Sequence, residues 1–245
     1  MDKRRVRIII VIVILILIWC LVFHVPFLES VDTNTFNKKI DVIYYINLDK
    51  RHDRRQQFLQ EMLNIGFPEE KIVRISGVEM PGRGDLGCSR SHIKTMEHFI
   101  ESGHTNCIVF EDDFEFLRPT HEVRSAFNYF FTYDIPYDVC MISANEVDTD
   151  RSDYSILKRV INVQTTAGFM VHKDFAPTLL DNFKEGADLL EGSYETGTPN
   201  GAEYAVDQYW KRLQPDSKWF MFYPKLGKQR GSVSDIQGGY VEMTV

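Results

Sequence analysis

The chain has 245 residues, 44% hydrophobic and 26% charged, with no low-complexity tract or internal repeat, which excludes a disordered or repeat protein. Its formal charge is −7, and because residues 1–28 carry four basic side chains against one acid, residues 29–245 carry −10. A surface that acidic repels phosphate backbones, so nucleic acid is not an expected partner.

In chain order, Lys3, Arg4, Arg5 and Arg7 form a basic tail over residues 1–7, and an apolar stretch follows over 8–28. Its 21 residues make a helix of roughly 30 Å, the thickness of a bilayer core. A cleaved signal peptide competes with this reading, but the exit HVPFLES lacks the small residues of a cleavage site. Basic residues before the span place the N-terminus in the cytoplasm. The expectation is a single-pass type II membrane protein, its catalytic domain on the non-cytoplasmic side (the ER or Golgi lumen in a eukaryotic cell or the host of a virus). Residues 29–39 read as a polar stem, and 40–245 as the domain.

The domain sequence predicts a strand over Ile40–Leu48, a helix from DKRHDRR to the Gly66-Phe67-Pro68 stop, a short strand Ile72–Ile75 and a loop MPGRGDLG. Ile93, Met96, Phe99 and Ile100 recur at helical spacing within Ser89–Ser102, and Gly103 caps that helix. Cys107–Phe110 is a short apolar strand running directly into Glu111-Asp112-Asp113. Further on, a helix over Glu122–Phe131, a strand Asp138–Ile142, an apolar run Ala167–Val171, helices over Asp174–Phe183 and Ala202–Leu213 and a strand Lys218–Tyr223 are expected. Strands alternating with helices imply an α/β fold with a mostly parallel sheet covered on both faces, its ligands beyond the carboxyl ends of the strands, hence after Leu48 and Phe110. Cys88, Cys107 and Cys140 show no metal-ligand spacing; one bridge at most is left open, and the apolar runs around Cys107 and Cys140 favour buried thiols.

Three adjacent carboxylates at a buried strand end repel one another and lose solvation, which a hard divalent cation, Mn²⁺ or Mg²⁺, offsets while keeping positions open for phosphate. A solvated acidic turn is the plainer alternative for an isolated EDD. The first strand exit carries the opposite sign in Lys50, Arg51, Arg54 and Arg55. Arg51 and Arg54, three apart at a helix start, are placed to reach one phosphate, while Lys50 and Arg55 fit a solvated helix start. Metal and guanidiniums together describe a site for a diphosphate leaving group.

INLDKRHDR (46–54), LGCSRSH (86–92) and IVFEDD (108–113) resemble, in order, three signatures of glycosyltransferase family 25, which includes bacterial lipooligosaccharide galactosyltransferases and animal procollagen galactosyltransferases. Weaker echoes in YDVCMIS, TTAGFMVHKDFAPTLL, AVDQYW and YPKLGKQRGSVSDI extend the resemblance over about residues 40–236. It implies a GT-A-like, Rossmann-type fold, a nucleotide-sugar donor, usually UDP-galactose, an inverting displacement (hexosyltransferase), and a glycan, lipooligosaccharide or glycoprotein hydroxyl as acceptor. By the same resemblance Asp113 is the expected metal ligand, with Glu111 as helper or donor-sugar contact and Asp112 near the ribose. Asn47, Leu48, Arg51 and Arg54 would line the nucleotide side. Gly87, Ser91 and His92 would sit where a helix N-terminus holds the donor, although a histidine on an apolar helix face is ordinarily packed. Asp207, in the late V-D pair, is the expected general base, with Tyr209 and Trp210 beside it to stack on a sugar. The last histidine is His172, so the late histidine ligand common in GT-A enzymes is replaced by Asp207, Asp235 or Gln229, or only by phosphate and water. Two other readings remain: a membrane-tethered binding homologue without turnover, and a metal-dependent phosphoryl-transfer enzyme, which would need further ligands.

Overall fold

The computed structural model describes residues 35–233 and 240–241. The basic tail, the apolar span 8–28 and most of the stem lie outside the described residues; among those described, no helix is long and apolar enough to cross a membrane. The stem's last five residues belong to the fold: Thr35–Lys39 is a helical turn (α1) whose Phe36 is fully buried. Phe36 packs edge-on to Phe67 at 5.5 Å and stacks on Phe127 at 6.0 Å.

An eight-stranded sheet forms the centre, in the order β2-β1-β3-β8-β5-β9-β7-β6. These are β1 Val42–Asn47, β2 Ile72–Ser76, β3 Asn106–Glu111, β5 Val139–Met141, β6 Asn145–Arg151, β7 Leu157–Gln164, β8 Gly168–His172 and β9 Trp219–Phe222. β1, β2 and β3 run together; β8 opposes both β3 and β5; β5 and β9 are parallel; β7 opposes β9 and β6. Six strands therefore share one direction, and β7 and β8 are reversed. The mostly parallel α/β sheet is present, with a mixed second half.

Side-chain alternation along the strands feeds two cores. On one face Val42, Tyr44, Cys107, Val109, Phe169 and Val171 meet α3 (Gly84–Ser102) and α5 (Ala176–Glu195). On the other, Ile43, Tyr45, Ile108, Phe110 and Met170 meet α2 (His52–Ile65) and α4 (Thr120–Thr132). Cys107 and Cys140 are free, buried and on opposite faces, so neither can bridge the other.

Three expectations need correction, and a hairpin and a ribbon were not expected. The loop expected over MPGRGDLG is helical from Gly84, because the Gly84–Gly87 turn carries α3 one turn upstream. The single helix expected over Ala202–Leu213 is two short turns, α6 (Gly201–Tyr204) and α7 (Val206–Tyr209), then a 3-10 turn; Ala205 is extended at φ −57°, ψ 150° and separates them. The helix expected to end at Phe183 continues to Glu195. Last, β6 and β7 form an antiparallel hairpin, and a two-stranded ribbon pairs β4 (Phe114–Phe116) with β10 (Gly227–Gln229) directly after the acidic triplet.

Candidate functional site

β1 and β3 lie side by side, Ile46 opposite Glu111, so their carboxyl ends open into one space. There a cavity of about 330 Å³ is lined by the β1 exit (Leu48, Lys50, Arg54), the loop after β2 (Gly77–Pro81), α3 (Gly84, Gly87, Cys88, Ser91, His92), the acidic triplet, and Gln229 and Arg230.

The triplet is divided by strand geometry. Glu111 continues the parity of Cys107 and Val109 and turns toward α3; Asp112 turns toward α2. Glu111 Oε1 accepts from Thr166 Oγ1 at 2.7 Å, stands 3.3 Å from His92 Nε2 and 4.0 Å from Cys88 Sγ. Burial pushes its pKa up, but hydrogen bonds and charge from His92, with Thr166 and Arg54, outweigh this and lower it overall. Among the described residues, Cys88, His92 and Glu111 are the three potential ligands whose donor atoms lie within 4.8 Å of one another. The helical spacing of Cys88 and His92, one turn apart, is the signal that a search of cysteine spacing alone misses.

On the other side, the buried Arg54 guanidinium donates to Asp112 Oδ1 at 2.9 Å and Asp113 Oδ2 at 3.1 Å. Asn47 Nδ2 donates to Asp112 Oδ2 at 2.7 Å and to the Arg51 carbonyl at 3.0 Å, while its Oδ1 accepts from Arg74 Nε at 2.9 Å. Burial raises the pKa of Asp112 despite Asn47 and Arg54. Burial, then the charge of Glu111, pushes Asp113 from its ordinary 3.8 to about 7. Asp113 Oδ2 also accepts from Gln229 Nε2 at 3.2 Å, whereas its Oδ1 is buried without a hydrogen-bond partner among the described residues. That orphaned oxygen is what a cation would satisfy, so Asp113 fits as a ligand.

Several residues stand elsewhere than expected. Arg51 forks onto Asp53, Nε–Oδ1 3.0 Å and Nη2–Oδ2 2.9 Å, and does not line the cavity; Arg51 and Arg54 therefore do not converge on one phosphate position. Asn47 sits beneath the cavity, both amide protons engaged, and orients Asp112 instead of lining the site. Because α3 starts early, the Gly87 N–H already bonds the Arg83 carbonyl. Gly87 matters through its missing Cβ, which would lie 2.6 Å from the Val78 carbonyl oxygen. Ser91 accepts from the Val78 N–H at 2.8 Å and donates to the Gly87 carbonyl at 2.7 Å, holding the Val78–Pro81 wall against the helix. Leu48 lines the cavity as expected.

Asp207 lies just outside the lining residues, at the start of α7. Burial and the charge of Glu111 raise its pKa, with Lys211 and the Thr165 backbone N–H opposing. Thr165 holds φ at +90°, a strained conformation for a β-branched residue, and its neighbour Thr166 binds Glu111, so one turn touches both carboxylates. Tyr209 and Trp210 cannot stack on a sugar: both are buried, Trp210 between Phe169 at 5.3 Å and Trp219 at 5.2 Å. His172 lies at the far end of β8, beside Asp174. Of the substitutes for a late histidine, Gln229 reaches Asp113, and Asp235 lies outside the described residues. Sequence reasoning missed Thr166, Arg230 and the Lys50–Glu79 pair (2.6 Å) at the cavity rim. Arg230 donates its backbone N–H to the Asp113 carbonyl at 2.6 Å and its guanidinium to Glu115 and Gln57.

No family model matches the sequence. Among solved structures, the chain is similar to a mannose-1-phosphate geranyltransferase from Thermus thermophilus (TM-score 0.47, 10% identity, 75% of this chain and 73% of that one). It is also similar to A197 from STIV (TM-score 0.42, 9% identity, 74% and 80%). A third similarity is to a glycosyltransferase involved in the glycosylation of the major capsid of PBCV-1 (TM-score 0.43, 12% identity, 79% and 94%).

Proposed function

We propose that the chain is an inverting glycosyltransferase that takes a nucleotide sugar, UDP-galactose first among donors, and passes the sugar to a hydroxyl of a glycan, lipooligosaccharide or glycoprotein acceptor. The observation that carries this reading is convergence: the three segments resembling family 25 signatures, far apart in sequence, each contribute lining residues to one cavity. Asp113, with its orphaned Oδ1, is the residue assigned to hold Mn²⁺ or Mg²⁺, which when bound supplies positive charge to the leaving diphosphate. Arg54 and Arg230 line the same cavity and add fixed positive charge, and the Leu48 and Val78–Pro81 walls give the nucleotide an apolar slot. Asp207 is the assigned base. Burial and the charge of Glu111 raise its pKa, which makes it a stronger base toward the acceptor hydroxyl's proton, and the strained Thr165–Thr166 turn fixes it relative to Glu111. In this reading residues 8–28 anchor the domain to the membrane.

The test is a donor screen by released nucleotide, using purified protein with Mn²⁺ and varied acceptors. Turnover of UDP-galactose above other nucleotide sugars is expected; absence of hydrolysis or transfer with every donor overturns the assignment. One observation favours a second reading. Arg54 already pairs with both Asp112 and Asp113 and offsets one of their two charges, as a donor-binding homologue without metal would require. Nucleotide binding that is indifferent to chelation, with no turnover, would select it.

A further inference from the structure

The inner wall of the cavity carries a donor set that the diphosphate reading does not use. Cys88 and His92 project from adjacent turns of α3, and Glu111 reaches them from the end of β3. Nε2 and Oε1 are 3.3 Å apart, Sγ and Oε1 4.0 Å, and all three donor atoms lie within 4.8 Å of one another. A four-coordinate Zn²⁺ with its usual Zn–S, Zn–N and Zn–O bonds sets such atoms about 3.3 to 3.6 Å apart. One pair already has that separation; the Sγ–Oε1 pair needs a contraction of about 0.4 Å and the Sγ–Nε2 pair about 1.2 Å at most.

Independent features point the same way. The His92 ring is fully buried, packed near Phe169 and Phe183; among the described residues its Nδ1 has no partner, and Nε2 faces Glu111 at 3.3 Å. The Cys88 thiol stands 4.0 Å from the Glu111 carboxylate, the long limit of a hydrogen bond to sulfur, at a polar junction where a bound metal would draw the two together. Thr166 pins the Glu111 carboxylate from outside the trio, as an outer-shell donor does for a ligand. All three residues line the cavity, which leaves a fourth coordination position facing it.

We propose that Cys88, His92 and Glu111 bind one soft first-row divalent ion, Zn²⁺ by their donor chemistry, at a site distinct from the hard-ion position at Asp113. On binding, the Cys88 S–H bond breaks, its proton leaves to solvent, and a sulfur electron pair forms the metal–sulfur bond. Thiolate and carboxylate then balance the double positive charge, with neutral imidazole as third ligand. A thiolate–imidazole pair discriminates against Mg²⁺ and Mn²⁺, which prefer oxygen, so the two sites select different metals. The site stands whether or not the chain transfers sugars.

The experiment uses the full-length chain in detergent, stripped with chelator and titrated with Co²⁺ and Zn²⁺. Co²⁺ should give a thiolate-to-metal absorption band and the intense visible bands of a tetrahedral centre, which Zn²⁺ displaces. Cys88→Ser should abolish the thiolate band, and His92→Asn should weaken affinity roughly tenfold or more. Cys107→Ser and Cys140→Ser, whose thiols lie in the apolar cores, should keep the band. A band unchanged in Cys88→Ser, or none in the wild-type protein, overturns the site. Should Cys88→Ser fail to fold, alkylation of Cys88 in the wild-type chain decides: Zn²⁺ must slow it, and an unaltered rate refutes the proposal. Neither readout involves sugar transfer.

Discussion

Asp113 is the residue on which the electrostatics of the site turns. Its folded pKa of about 7 lies above its ordinary 3.8, so the folded protein holds this proton more tightly than the unfolded chain. Its contribution to stability is complete below about pH 4 and is lost as pH rises through 7. Asp112 and Asp207 shift in the same direction and Glu111 in the opposite one. In chelator, the melting temperature should therefore fall between pH 4 and about 7, and Asp113→Asn should flatten that fall while abolishing transfer and metal dependence. Wild-type activity of the variant at saturating Mn²⁺ would remove Asp113 from the metal. Asp207→Asn should lower turnover roughly 10²-fold or more with donor affinity nearly unchanged, as expected for a base. Weakened Mn²⁺ binding would make Asp207 a ligand instead. The triplet itself was legible in the sequence as a charged strand end. Its division was not, because it follows from strand parity: Glu111 shares a face with Cys107 and Val109, and only the fold shows that α3 brings Cys88 and His92 to that face.

At the scale of elements, the β4–β10 ribbon carries the late segment to the acidic triplet. Phe114 fills the space beneath it: a Cβ on Gly227 would stand 2.1 Å from the Phe114 ring, and one on Gly168 2.8 Å. Gly227→Ala should thus displace β10, cost about 1 to 3 kcal/mol as overpacking does, and loosen Gln229 from Asp113. Denaturant melts read the first effect and Mn²⁺ titration the second; unchanged values in both would show that the ribbon yields freely. The apolar strands β1, β3, β8 and β9 were legible because burial on both faces leaves near-continuous hydrophobic runs. The β6–β7 hairpin was not, since NEVDTDR carries mostly polar residues and its register is interrupted between Asn145 and Thr149. The start of α3 was hidden by glycines that ordinarily signal a loop; here Gly87 is required by the approach of the Val78 carbonyl.

For the whole molecule, the described domain begins with Phe36 locked into the aromatic core, which sets where the leader can be removed. Deleting residues 1–28 should leave a soluble domain with full activity, because no described site residue precedes Asn47. Deleting through residue 40 removes Phe36 and should cost about 3 to 5 kcal/mol, the usual loss for a buried phenylalanine. Equal melting temperatures for the two truncations would show that α1 is dispensable. Among the described residues the sheet ends in two unpaired edges, β2 and β6. The β6 rim bears exposed Asp148, Asp150 and Arg151, and the β2 rim bears Arg74. Charges on an unpaired rim make it costly for another chain to add a strand there. Stripping them with Asp148→Val and Asp150→Val should leave the fold intact yet seed fibril-like self-association on concentration, visible by light scattering and thioflavin fluorescence. On this prediction the charges of β6, a strand that no sequence pattern announced, would work between copies of the protein rather than within one, by making strand addition at that rim costly.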